Sequence, residues 1–271
     1  MDSHKMTCQQ VNVQRWQGKK NETDTDKVAV EVPVAMVYNG ISHVVMMATP
    51  NDLVDFALGF SLTEGIIEKP SELFSVEQKE TEKGIELQLT ISERRFQQLK
   101  QWRRNLTGRT GCGLCGAESL EQALHLPLPL HRGESEHGEK MDAGIIHRAM
   151  QALPEQQPIN RITGAVHAAA WADLKGNITC LREDVGRHNA LDKLIGALAK
   201  AERPNGFLLV TSRASYEMVQ KAGWAGMNLM AAISAPTSLA IELAEKLNIT
   251  LLGFTRDEGF VCYAHCDPLS F

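Results

Sequence analysis

Long apolar runs are missing from this sequence. No stretch approaches the roughly 20 consecutive apolar residues that a membrane-spanning helix needs, which excludes an integral helical membrane protein. The opening segment, MDSHKMTCQQVNVQRWQGKKNETDTDK, also lacks the apolar core of a secretory signal. A basic excess is absent too: 28 Lys and Arg stand against 33 Asp and Glu, a net charge of -5, so the whole chain carries no nucleic-acid footprint. Cysteine is scarce. Six residues, at 8, 112, 115, 180, 262 and 266, are too few and too scattered to staple a small disulfide-rich domain. A chain of 271 residues buries an adequate core without staples. With 43% hydrophobic and 23% charged residues the composition is that of an ordinary globular protein. The expectation is a soluble, cytoplasmic chain with no membrane or nucleic-acid partner.

What is present divides the chain. Residues 1–26 are polar and aperiodic and read as a loose leader. From Lys27 onward Val28, Val30, Val32 and Val34 alternate, Asn39-Gly40 supplies the positive-φ pair of a tight hairpin, and Ile41 to Met47 returns as a second strand. Thr49-Pro50-Asn51-Asp52 predicts a helix start, with Thr49 as cap, Pro50 in the first helical position and Asp52 at the positive end of the dipole. Leu53, Phe56, Ala57 and Phe60 then share one helical face, and Gly65 is the stop. Ile85, Leu87, Leu89 and Ile91 alternate as another strand. A helix from Ser92 and the loop after it hold Arg94, Arg95, Lys100, Arg103, Arg104 and Arg109, a local positive patch that fits either an anionic ligand or a solvated face. Residues 27–106 thus read as a small α+β domain.

Residues 107–142 read as a mobile cysteine loop and connector: TGRTGCGLCG has four glycines, and PLPLHRGESEHGEKMD is polar and proline-containing. Beyond it, in 143–271, strands at Ile178–Leu181, Phe207–Val210, Leu229–Ile233 and Thr250–Phe254 alternate with helices at Asn189–Ala201, Tyr216–Ala225 and Ser238–Leu247. That alternation predicts an α/β domain whose parallel or mostly parallel sheet is covered on both faces.

Cys112-Gly113-Leu114-Cys115 carries the sharpest chemical signal. Thiolate is the reactive form of cysteine, and a neighbouring arginine such as Arg109 favours it. Flanking glycines leave the backbone room to approach another molecule. The same spacing also fits half of a zinc site, whose second pair would have to come from Cys262 and Cys266 with His265 beside them, or a dithiol redox couple. Cys180 falls in a strand and reads as a small core residue, and Cys8, Cys262 and Cys266 have no comparable context.

The run Arg109-Thr110-Gly111-Cys112-Gly113-Leu114-Cys115-Gly116 resembles the cysteine loop of the FdhD family, the formate dehydrogenase accessory sulfurtransferases. Glu64-Gly65-Ile66-Ile67, Thr163 to Ala169, Glu183 to Lys193, Thr211-Ser212-Arg213 with Glu217-Met218-Val219, and Gly253-Phe254-Thr255-Arg256 resemble the family in the same order, across residues 27–267. The resemblance implies a sulfur carrier that takes persulfide sulfur from a cysteine desulfurase. It would pass that sulfur to the molybdenum bis(molybdopterin guanine dinucleotide) cofactor of formate dehydrogenase. It implies that Cys112 holds the persulfide and Cys115 assists. It also implies a cytidine-deaminase-like three-layer second domain, a homodimer, and a cofactor site along Phe254, Thr255, Arg256, Asp257, Glu258 and Gly259. The cofactor would be a bound client, with no resident metal and no tightly held prosthetic group. Asp257-Glu258 departs from many relatives, and two carboxylates beside phosphates are unfavourable unless they point away. An alternative of another class is a non-catalytic chaperone that binds and delivers the molybdenum cofactor.

The chemistry follows from thiols. A persulfide carries a transferable outer sulfur, and a second thiol attacking its inner sulfur would release it. Asp184 to Asn189 precedes a helix, where free N–H groups with Arg182 and Arg187 suit a phosphate or merely a capped turn. His167-Ala168-Ala169 departs from the deaminase His-x-Glu signature, which leaves a deaminase-like scaffold without deaminase chemistry. In open α/β sheets ligands gather at the carboxyl ends of parallel strands. Ser212 and Arg213, the 234–237 loop, and Thr255 and Arg256 are therefore expected to share one guanine-nucleotide site.

Overall fold

The structure is a computed structural model, and it describes residues 7–106, 126–130, 140–200, 202–256 and 259–270. The first element differs from the sequence expectation. Residues 8–29, read mostly as a leader, form an antiparallel hairpin of β1 (Cys8–Gln17) and β2 (Lys20–Ala29), registered Cys8 with Ala29 through Gln17 with Lys20. Gly18 at φ 63 opens its two-residue turn, the geometry that matches strand twist. Val11, Val13 and Arg15 are the half-buried side, whereas all of β2 up to Val28 is exposed. Apolar alternation is therefore confined to one strand, and periodicity alone misses the pair.

β3 (Val32–Tyr38), β4 (Ile41–Ala48), β5 (Leu73–Thr81) and β6 (Gly84–Ile91) form a four-stranded sheet in the order β4-β3-β6-β5. Asn39 (φ 44) and Gly40 (φ 83) make the hairpin turn their sequence demands. Ile85, Leu87, Leu89 and Ile91 all point into a core shared with Val34, Met36, Phe56 and Phe60. The last two belong to α1 (Leu53–Thr63). This helix starts three residues later than Thr49 suggests: Asp52 at φ 51 is its cap residue and makes no side-chain cap bond. Thr49 is drawn elsewhere, because it is fully buried against residues 184 and 185. In α2 (Glu93–Leu106) the expected basic patch is partly internal. Arg95 is buried and bonded to Glu68 and Glu72, so it is not a free anion contact.

The second half builds a six-stranded sheet in the order β13-β12-β11-β10-β8-β9. Its strands are β8 (His167–Asp173), β9 (Ile178–Asp184), β10 (Gly206–Val210), β11 (Leu229–Ala232), β12 (Thr250–Arg256) and β13 (Gly259–Ala264). The α/β class holds, but the mostly parallel sheet does not. Only β10, β11 and β12 run parallel, while β8, β9 and β13 join antiparallel. The physical reason is connection length. β8–β9 and β12–β13 are separated by only a few residues of chain, too few for the crossover that a parallel pair requires. A two-stranded parallel pair, β7 (Met141–Asp142) with β14 (Leu269–Ser270), closes the chain.

Apolar side chains leave this sheet on both faces. Ala169, Trp171, Leu208, Val210, Met230 and Leu251 meet α5 (Arg187–Leu198), α6 (Tyr216–Trp224) and α7 (Ser238–Leu247) on one face. Ala170, Phe207, Leu209 and Leu252 meet α3 (Ala143–Ala152) on the other. A short helix, α4 (Pro158–Thr163), precedes β8. No helix among the described residues is long and apolar enough to cross a membrane.

The two halves touch through backbone. α1 and α5 cross at Gly59 and Gly196, so closely that a Cβ on Gly196 would lie 1.9 Å from the Asp55 carbonyl oxygen. Charged pairs flank this crossing. Arg182 donates to Asp55 at 2.7 Å, and Lys200 also pairs with Asp55. On the other flank Asp192, fully buried, accepts from Thr63 at 2.7 Å and from Lys221 at 3.0 Å, while Lys221 also reaches Glu64 at 2.9 Å. Burial pushes the Asp192 carboxyl up from its ordinary value.

Candidate functional site

The carboxyl ends of the three parallel strands open onto one rim. The loop after β10 is stitched to the loop after β11 by an Ala214–Pro236 bridge and by Thr237 N donating to Ala214 O at 3.0 Å. The loop after β11 is stitched to the end of β12 by Phe254 N donating to Ser234 O at 3.3 Å. Antiparallel β8 enters at the same end, where Ala168 N donates to Thr211 Oγ1 at 2.8 Å. That contact brings His167 beside the first turn of α5, with Arg187 and His188. The first turn of α6 adds Ser215, Tyr216 and Glu217, and His188 Nε2 lies 2.7 Å from Glu217 Oε2.

Arg187, Arg213 and Arg256 bring three cations to the rim. Burial, and then the charges of Arg187 and His188, lower the His167 pKa from its ordinary value. The hydrogen bond from His188 holds the Glu217 carboxyl below its usual value. Arg213 and Arg256 are exposed here, with the Arg256 guanidinium 5.5 Å from the centre of the Phe254 ring. Hydroxyls are left over as well. Thr255 is 0% exposed and its Oγ1 has no hydrogen-bond partner, and Ser215 Oγ, Tyr216 Oη and Arg187 Nε are likewise buried atoms without one. An unpaired buried polar group costs about 1–3 kcal/mol. Several of them at one mouth are accounted for if a polar ligand completes them. Phe254 adds backbone strain: φ 52 is a left-handed conformation that a bulky side chain rarely adopts and that marks functional positions.

Six of the residues expected from sequence therefore share this rim: Ser212, Arg213, Phe254, Thr255, Arg256 and Gly259. Ser212 is buried with its hydroxyl turned to the Arg213 carbonyl at 3.0 Å, so it shapes the loop. Gly259 faces Arg256 across the β12–β13 pair. Cys112, Cys115, Asp257 and Glu258 lie outside the described residues. Sequence reasoning passed over Ser215, Tyr216 and the His188–Glu217 pair. The available signal was a Ser-Tyr-Glu helix start directly after a strand of the parallel set.

Of the two readings of Asp184 to Asn189, a phosphate contact or a capped turn, the contacts seen are those of the capped turn. Arg182 is engaged by Asp55, and the Glu183 carboxylate caps α4 by accepting from Ile159 N and Asn160 N at 2.9 and 2.8 Å. Asp184 is fully buried and accepts from Thr49 N at 3.0 Å, Gly186 N at 2.8 Å and Asn189 Nδ2 at 3.0 Å, with Lys193 Nζ at 2.7 Å. Lys193 in turn donates to the Thr49 carbonyl at 2.9 Å. The segment is a clamp that fixes the start of α5, and with it Arg187 and His188, against the end of β4. Of the two arginines weighed for an anion, Arg187 alone stays at the rim.

The model of the FdhD/NarQ family matches residues 29–270 of this chain. The chain belongs to the FdhD/NarQ family. The sulfur carrier protein FdhD of Cupriavidus necator is 52% identical over 255 residues, covering 93% of this chain and 87% of the relative. That of Xanthomonas euvesicatoria pv. vesicatoria is 53% identical, covering 93% and 89%. Among solved structures, one assigned to a formate dehydrogenase accessory protein from Desulfotalea psychrophila superposes with a TM-score of 0.73, covering 97% of this chain and all of its own. At 20% identity that likeness speaks for the FdhD fold alone. The family match takes in both the clamp at 183–193 and the rim residues Phe254, Thr255, Arg256 and Gly259.

Proposed function

We propose that this chain is a cytoplasmic sulfur carrier for formate dehydrogenase. It accepts persulfide sulfur from a cysteine desulfurase at Cys112 and passes it, with Cys115 assisting, to the molybdenum bis(molybdopterin guanine dinucleotide) cofactor. Family membership supports the carrier role, and the thiol pair in 107–142 supplies the chemistry. The Cys112 thiolate attacks the outer sulfur of the donor persulfide, forming Cys112–S–SH and releasing the donor thiolate. Intact mass after incubation with a desulfurase and cysteine should rise by one sulfur atom, removable by reductant and mapped to residues 109–116. No addition under conditions where the desulfurase is active would sink the carrier reading.

The cofactor is substrate here, and its guanine end is assigned to the rim of the six-stranded sheet. One observation carries this assignment: the buried, unpaired Thr255 hydroxyl beside the strained, exposed Phe254 ring. The ring offers a stacking surface for a purine, and Arg213, Arg256 and Arg187 suit phosphate oxygens. Asp257 and Glu258 border the same site in this reading. The mixed sheet with helices on both faces suits the cytidine-deaminase-like assignment, and the working unit in this reading is a homodimer. GDP is the probe. Arg213→Ala with Arg256→Ala should weaken GDP binding by about tenfold or more, each lost charge-assisted bond counting about 1.5–3 kcal/mol before solvent screening. Thr255→Val should weaken GDP as well, yet raise the Tm of the ligand-free protein by removing an unpaired hydroxyl. Unaltered affinity in the double arginine variant would place the nucleotide elsewhere.

A further inference from the structure

Two cysteines outside the carrier loop are joined. Cys262 on β13 and Cys266, four residues on, form a disulfide with their Cα atoms 6.1 Å apart. The turn between them is held by other bonds as well. His265 takes φ 51, its carbonyl accepts from Thr250 Oγ1 at 2.8 Å, and its Nε2 lies 3.0 Å from the Glu245 carbonyl. These contacts are made by His265, Thr250 and Glu245 and not by the sulfurs, so the turn has support besides the S–S bond. Both residues are half-buried rather than sealed, which leaves them within reach of a small thiol reagent. Cys8 and Cys180, the free cysteines among the described residues, are not part of this turn.

Directly after the turn the chain is anchored. Leu269 N donates to the Cys266 carbonyl at 3.0 Å, and Met141 N donates to the Pro268 carbonyl at 2.9 Å. Leu269 is buried among Ile146, Ala149 and Met150 of α3, and Asp142, next to Met141, caps that helix. The disulfide therefore shortens the tether between the sheet edge and the latch that seats α3.

We propose that Cys262 and Cys266 are a redox modification site, a reversible dithiol–disulfide couple whose oxidised form tightens the β14–β7 latch. The reactant class is a small disulfide such as glutathione disulfide. One cysteine thiolate attacks it, giving a mixed disulfide and one free thiol. The second cysteine then attacks the protein sulfur of that mixed disulfide, closing the 262–266 bond and releasing the second thiol. Two protein thiols are oxidised and one small disulfide is reduced to two thiols. In a reducing compartment the pair stays open, and oxidising conditions close it.

The test uses the full chain in a Cys112→Ser, Cys115→Ser background, poised in glutathione buffers, alkylated and mapped by mass. Cys262 and Cys266 are expected to lose reactivity together as a two-electron couple. The oxidised protein should melt about 4 °C higher, the size expected for closing a short loop in a chain of this length. Adding Cys262→Ser should erase that difference. Full alkylation of both residues under strongly oxidising glutathione would overturn the proposal. So would a melting difference that persists after Cys262→Ser.

Discussion

Gly196→Ala is expected to yield little or no folded protein, with any soluble fraction melting at least about 10 °C below the parent. The new methyl would sit 1.9 Å from the Asp55 carbonyl oxygen and 2.8 Å from the Gly59 nitrogen, and both are backbone atoms inside α1. A side chain could rotate away, but a helix backbone cannot. α1 and α5 would have to separate, and separation stretches the bonds that span the crossing, among them Arg182 to Asp55, Thr63 to Asp192, and Lys193 to the Thr49 carbonyl. Overpacking alone costs about 1–3 kcal/mol. Disrupting a buried ion pair adds about 3–5 kcal/mol, because the partner is left charged and dry. Their sum reaches the whole stability of a typical domain. Gly259→Ala is the control, since a Cβ there meets nothing within 4 Å. A parent-like melting curve for Gly196→Ala would mean that α1 and α5 are not in backbone contact.

That crossing is invisible in the sequence. Gly59 and Gly196 sit inside helices, where glycine is locally unfavourable, and nothing nearby states that the two helices meet. What was legible was local. Asn39-Gly40 announced its hairpin, and Ile85 to Ile91 announced a strand with one buried face. The 216–225 and 238–247 helices followed from periodicity. What was lost was partner choice. Thr49 has the chemistry of a helix cap, but a buried Asp184 more than a hundred residues away claims it first. Arg95 reads as surface charge until two glutamates brought by the preceding 3-10 turn and loop enclose it. Cys262 and Cys266 become a pair only because His265 turns the chain back. At the rim, strand ends brought Ser212, Arg213, Thr255 and Arg256 to one edge of the sheet, as strand direction in an α/β sheet leads one to expect. Ser215 and Tyr216 give no such signal, since a hydroxyl left without a partner is a property of packing.

Cys112→Ala is expected to abolish activation of formate dehydrogenase while leaving GDP affinity and the melting temperature unchanged. A persulfide needs a sulfur to be built on, and alanine offers no nucleophile to attack the donor. Deleting the group that forms a covalent intermediate costs roughly a thousandfold or more in rate. The rim at Phe254, Thr255 and Arg256 is formed by strand ends and loops of the six-stranded sheet, so the nucleotide affinity proposed for it has no reason to depend on this thiol. Cys115→Ala should fall between parent and Cys112→Ala if its thiol acts by attacking the inner sulfur, because release would slow while loading survives. Cys262→Ser should activate like the parent, since that pair serves the β14–β7 latch. The discriminating quantity is the split between binding and activation. Loss of both in Cys112→Ala would show that the substitution had damaged the fold or the site. Full activation with intact GDP binding would leave a cofactor chaperone as the surviving reading, in which the chain shields and delivers the guanine-dinucleotide cofactor and the cysteines carry no sulfur.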